Sequence, residues 1–302
     1  MLQIDTGASA YSPIQSTTVA ANVTGNSHPD IPPVEPTPVS ERTYDESSLY
    51  GSSGRPVPTD IDQDDLGDCY YVATLAAIAG KTPERIEQAI GYNEDTGNFT
   101  VELYDGDEWV TVEVSQAEIQ DNIERDGGST VDNGNANGAI WPAVMEVAYA
   151  KVLGGDLETG YQELEGGKSR DAFEAVTGDS GQEISRRLVE MFGPETVGNM
   201  IQQALDAGHP VTLSTDPEDT ANWVERNILG QHDAPQDGLV DNHVYVVEDV
   251  KVVDGEVVLE LRNPWAHNGE EGFDDTGPTM EVKLSDITSG GGLECINIGP
   301  KD

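Results

Sequence analysis

The chain has 302 residues, 36% of them hydrophobic, which suffices for a buried core, and 57 acidic against 15 basic residues give it a net charge of −42. A charge of that sign and size repels nucleic acid and anionic membrane surfaces, so neither is expected as a partner. No apolar run approaches a membrane span and the N-terminus has no basic region or apolar stretch of a signal peptide, which leaves cytoplasmic residence and export without a classical signal both open.

Residues 1 to 55 are rich in Ser, Thr and Pro, with Asp5 and Asp30 the only carboxylates among the first 34 positions; they read as a disordered leader, and order is expected from near Val57. The polar run from Asp60 to Asp68 contains Gly67 and leads into the apolar stretch Cys69 to Ala79, which predicts a buried helix with a thiol at its N-terminus. Orphan backbone N–H groups and the helix dipole favour a thiolate there, while a carboxylate at Asp68 facing the sulfur opposes it. A second helix is expected after Lys81, opened by Thr82 as N-cap and Pro83 in the first turn.

The period then changes. Asn98 to Tyr104 and Glu108 to Val114 alternate around Asp105-Gly106, a hairpin signal, and a Gly/Asn-rich loop from Asp126 to Gly138 leads into a helix from Trp141 to about Leu153 that stops at Gly154-Gly155. A helix from Gly198 to Ala207 is closed by Gly208 and followed by a strand over Val211 to Ser214. His243 to Val253 and Glu256 to Leu261 form a second hairpin around Asp254-Gly255, and Met280 to Leu284 and Leu293 to Ile298 are short candidate strands. The order predicts an α+β fold, with a helical part over 56–185, a β-rich part over 186–302 and a cleft between them.

The two cysteines, Cys69 and Cys295, match no zinc or disulfide framework. Cys295 reads as a strand residue of the core. For Cys69 to act as a nucleophile it needs a base and a group that holds the base in one tautomer. His243, at the start of a strand, is the candidate base, and Asn263, at the end of the paired strand, lies close enough to accept from its ring. Gln63, six residues before the thiol, offers an amide that with the Cys69 backbone N–H forms a candidate oxyanion hole. The other histidines fall in the leader or in loops.

At these residues the chain resembles the protease core of the calpain family, papain-like cysteine proteases with a Cys-His-Asn triad, over about residues 57 to 300. The nucleophile segment is Gln63-Asp-Asp-Leu-Gly-Asp-Cys69-Tyr70, the base stands in His243-Val-Tyr-Val-Val247, and the orienting residue in Arg262-Asn263-Pro264-Trp265. Trp141 to Lys151, Tyr161 to Gly167 and Val176 to Gly178 follow the family's helix and loop in order. The resemblance implies a papain-like core and a Cys69–His243 thiolate–imidazolium pair. The pair would hydrolyse peptide bonds of protein or peptide substrates through an acyl-enzyme, with Trp265 shielding the Asn263–His243 bond. Tyr70 departs from the family's Trp. The resemblance also implies one calcium ion in each half. Asp60 and Glu146 fall where the first site's carboxylates belong, whereas Glu270, Glu271, Asp274 and Asp275 stand in the region of the second with shortened spacing. Counterparts of the EF-hand and β-sandwich domains of conventional calpains are not expected within these 302 residues. Two other readings of the same residues are a binding module that keeps the fold without turnover and a transglutaminase-like acyl transferase, for which Asp would be the usual orienting residue.

Overall fold

A computed structural model of the chain describes residues 43–131, 138–216, 239–268, 277–290 and 292–301. Most of the leader, and the acidic stretch from Glu270 to Asp275, lie outside the described residues. The described chain opens at Thr43, ahead of the expected start near Val57. Tyr44 and Leu49 are buried, and the Gln116 side chain holds the Tyr44 backbone at both its N–H and its carbonyl, each at 2.8 Å. Two isolated apolar residues in a polar segment carry no periodicity, which is why the sequence alone gave them no role.

The helical part begins with α1 (Cys69–Lys81), in which every residue from Tyr70 to Ala79 is buried, and continues with the short α2 (Glu84–Ala89). A three-stranded antiparallel sheet follows: β1 (Ile90–Asn93), β2 (Asn98–Tyr104) and β3 (Trp109–Val114) in that spatial order. The β2–β3 hairpin turns at Gly106, whose φ of +101 only glycine adopts without strain. β1 is an addition to the predicted elements, too short to show alternation of its own. Next come α3 (Gln116–Glu124), closed at its N-terminus by a Ser115–Glu118 capping box, and α4 (Trp141–Gly154), ended by Gly155 in the left-handed region. α5 (Leu157–Leu164) and α6 (Ser169–Thr177) complete this part.

The β-rich part is a six-stranded antiparallel sheet. It contains β4 (Gln182–Ser185), β5 (Val211–Thr215), β6 (Val244–Val253), β7 (Glu256–Arg262), β8 (Thr279–Lys283) and β9 (Leu293–Ile298), in the order β4-β9-β5-β6-β7-β8. Helices α7 (Arg186–Phe192), α8 (Pro194–Asp206) and α9 (Leu284–Ser289) accompany it. The β6–β7 hairpin turns at Asp254 and Gly255, both with positive φ, as a two-residue primed turn requires. The mixture of helices and antiparallel sheets is the α+β architecture expected.

Two hydrophobic cores result, and β6 is the wall between them. Val244 and Val246 pack with α1, α4 and β2 in the first core, while Tyr245 and Val247 pack with α8, β7 and α9 in the second. Alternate side chains of one strand thus commit to opposite cores, so a one-residue slip would exchange them. Full burial of a Leu- or Ile-sized side chain contributes roughly 1.5–3 kcal/mol, so the two pairs together fix the position of β6 and of His243 at its head.

Candidate active site

Cys69 is the first residue of α1. Its N-cap, Asp68, does not cap the helix with its side chain. The segment ahead of it is tied down by backbone bonds: Asp62 N–H to the Gly128 carbonyl at 3.1 Å, Gln63 N–H to the Pro264 carbonyl at 2.9 Å, and Asp65 N–H to the Asp126 carbonyl at 3.0 Å. The second of these joins the Cys69 segment directly to the Asn263-Pro264 turn. Behind the nucleophile, the Tyr70 ring lies against Gly167, where a Cβ would come within 2.4 Å of it, so this close approach requires glycine.

His243 immediately precedes β6 and is anchored through its backbone. Its N–H donates to Thr215 Oγ1 at 2.9 Å, and its carbonyl accepts from the Thr215 N–H at 2.9 Å. The imidazole is buried between Tyr245, edge-on with centroids 5.0 Å apart, and Trp265 at 4.5 Å. Its Nε2 lies 2.9 Å from Asn263 Oδ1, which also accepts the Trp265 N–H at 3.1 Å. A carboxamide oxygen only accepts, so the proton of the neutral ring sits on Nε2 and the lone pair on Nδ1.

Cys69 and His243 line one cavity of about 270 Å³. Among the described residues no hydrogen bond joins thiol to imidazole. The backbone N–H groups of Val244 and Tyr70 reach toward the sulfur and favour its anion, but burial and then the Asp68 charge oppose them and push the thiol up to about 11. On the other side burial, offset in part by Asn263, pushes the imidazole down to about 4. Burial thus favours the uncharged form of each group taken by itself.

Gln63 is buried with its amide nitrogen donating to the Leu66 carbonyl at 2.7 Å and to Asp68 Oδ1 at 3.2 Å. Both amide protons are thereby engaged, and Gln63 does not line the cavity that holds Cys69. Asp68 is fully buried, as is Glu146, and burial pushes the Asp68 carboxyl up to about 7, with Glu146 and Gln63 pulling it back. Two carboxyls in contact share a proton more readily than they carry two charges.

Glu146 and Asp60, the expected calcium ligands, are employed elsewhere. Both oxygens of Glu146 accept the Gly128 N–H, at 2.9 and 3.1 Å. Asp60 Oδ2 accepts the Trp141 indole N–H at 2.7 Å and the Val57 N–H at 3.0 Å. One backbone N–H is thus shared by both Glu146 oxygens and two N–H groups meet Asp60 Oδ2, and among the described residues no group of three His, Cys, Asp or Glu gathers.

Cys295 is buried in β9, as expected of a strand residue, yet it also lines the cavity, with its sulfur 3.4 Å from Asn297 Nδ2. Thr215 as the anchor of the base and the buried Asp68–Glu146 contact have no sequence signal. Threonine at a strand end is ordinary, and carboxyl groups are expected in solvent.

A family profile described as "Calpain family cysteine protease" matches residues 44–275. The chain is 30% identical over 223 residues to the calpain-type cysteine protease DEK1 of Arabidopsis thaliana, covering 72% of this chain and 9% of that protein. It is also 30% identical over 244 residues to the calpain-1 catalytic subunit of Bos taurus, covering 75% of this chain and 31% of the relative. With the same subunit of Gallus gallus the identity is 26% over 87% of this chain and 33% of the relative. The match therefore spans about a third or less of the length of these proteins.

Proposed function

The chain belongs to the calpain family of cysteine proteases, and from that premise we propose that it is an endopeptidase whose nucleophile is Cys69, with His243 as base and Asn263 as the group that orients it. The observation that carries this reading is the 2.9 Å bond from His243 Nε2 to Asn263 Oδ1, at a cavity also lined by a thiol on a helix N-terminus.

The steps follow from the tautomer. Nδ1 accepts the Cys69 proton as sulfur attacks the peptide carbonyl carbon. The carbonyl electrons move to oxygen, and the Cys69 backbone N–H, one of the orphan donors of the first helical turn, stabilises that anion. Collapse of the intermediate breaks the C–N bond, with the Nδ1 proton passing to the leaving amine. Water then attacks the thioester, giving its proton to Nδ1, and sulfur leaves to be reprotonated. Asn263 keeps the ring aligned through both halves, and the Trp265 ring covers the bond that does so. Gln63 acts as a second oxyanion donor only by giving up Leu66 or Asp68. No step is routed through a metal.

The test is proteolysis of an unfolded protein substrate by wild type and Cys69→Ala, with a thiol-directed inhibitor as titrant. The expected result is stoichiometric labelling at Cys69 with loss of cleavage, and at least a ~10⁴-fold loss in Cys69→Ala. Cleavage retained in Cys69→Ala, or labelling confined to Cys295, would overturn the assignment.

A further inference from the structure

The cavity that holds Cys69 and His243 has a second wall with no part in the bond-breaking steps. β4 and β9 are paired there so that Glu183 stands opposite Asn297 and Ser185 opposite Cys295, and Glu183, Glu294 and Asn297 all line the space. Among the described residues neither Glu183 nor Glu294 forms an ion pair. Among the described residues the one lysine or arginine lining the cavity is Lys168, ahead of α6. Asn297 supplies an independent observation: the residue is 2% exposed, its Nδ2 is given to Cys295, and its Oδ1 is buried with no hydrogen-bond donor. A buried acceptor without a donor is costly unless a ligand brings one. The wall thus offers two carboxylates and an unpaired carbonyl oxygen, acceptors that call for a cation with several N–H groups.

We propose that this wall is a specificity site that selects substrates with an arginine or lysine side chain close to the bond that is cut. The inference rests on the endopeptidase reading, since the same cavity holds the proposed nucleophile. The negative field at the wall is not cancelled from within. Burial, Asp216 and Glu183 raise the Glu294 carboxyl, and only Lys168 pulls the other way. Asp216 is itself held by Arg186 at 3.0 Å, which leaves Glu183 and Glu294 as the free charges.

The experiment uses fluorogenic peptides of equal length that differ at one position near the scissile bond, carrying arginine, norleucine or glutamate. Wild type should cleave the arginine peptide roughly tenfold better in kcat/KM than the norleucine peptide. Glu294→Gln should remove about fivefold of that preference, the upper range for one partly exposed ion pair. Glu102→Gln, on the exposed face of β2, makes the same change in net charge and should leave the preference intact. Equal rates on arginine and norleucine peptides, or an equal loss in Glu102→Gln, would overturn the proposal. Binding of the same peptides to Cys69→Ala, followed by fluorescence anisotropy, separates this inference from the catalytic one. A preference for arginine in binding without any cleavage by wild type would sink the endopeptidase reading and keep the cationic site. Equal binding of the arginine and norleucine peptides would sink the site whatever the turnover.

Discussion

On the Cys69 side two carboxyls are completely buried, Asp68 next to the thiol and Glu146 behind Asp68; on the His243 side the buried polar partners are Thr215 and Asn263, both neutral, with Tyr245 and Trp265 around them. Burial favours the uncharged form on both sides, but only the thiol meets a charge that adds to the effect. The nucleophile is therefore tunable through its neighbours, whereas the base is set by its orientation. Each side can be disturbed separately.

The largest effect is expected on the base side. Asn263→Ala removes the acceptor that fixes the Nε2–H tautomer and should lower kcat by about 10²-fold with KM little changed. Asn263→Asp restores an acceptor and adds a charge that raises the imidazole from about 4, so it should recover part of the rate and move the acidic limb of the pH–rate profile upward. Equal losses in both variants, with no movement of the profile, would mean that Asn263 serves packing alone.

On the nucleophile side, Asp68→Asn keeps an acceptor for Gln63 and a donor for Glu146 but deletes the charge beside the sulfur. The thiol should fall from about 11, and labelling of Cys69 at pH 8 should accelerate by several-fold to about tenfold, since one unit is tenfold in thiolate. An unchanged rate would remove Asp68 from control of the thiol.

The same two sides should show opposite signs in stability against pH. Asp68 is an acid raised to about 7 in the folded state. Its protonation favours the fold as pH falls from about 7 toward the ordinary carboxylate value near 4. His243 is a base lowered to about 4 from an ordinary value near 6.5, so the unfolded chain takes up its proton first and stability falls between those values. Denaturant titrations across pH 4 to 7 should therefore steepen the acid loss in Asp68→Asn and flatten it in His243→Gln. Changes of the same sign in both variants would refute the assignment.

Legibility in the sequence divides along the same line. The base side is a hairpin whose turn, alternation and paired ends are all local, so the approach of His243 and Asn263 follows from Asp254-Gly255 and the strand period. The helix opened by Cys69 is equally plain from its apolar run. What lies around the thiol is not: Asp68, Gln63, Gly128 and Glu146 meet through loops, and a loop contact between polar residues leaves no period to read. The acidic wall was hidden for the same reason, since Glu183 stands in a strand of four residues and Glu294 beside a cysteine assigned to the core.

The smallest effects concern the carboxylates that the family resemblance assigned to calcium. If Asp60 serves the fold by holding the Trp141 indole and the Val57 N–H, Asp60→Asn keeps a neutral acceptor and should cost only about 1 kcal/mol, the difference between a charge-assisted and a neutral hydrogen bond. The loss should then be the same with calcium and with a chelator. Proteolysis by wild type should likewise change by less than about twofold between the two conditions. A calcium-dependent rise in wild-type stability that Asp60→Asn abolishes would show the opposite: that Trp141 and Gly128 release their carboxylates to a metal, and that the nucleophile side rearranges around Glu146 when they do.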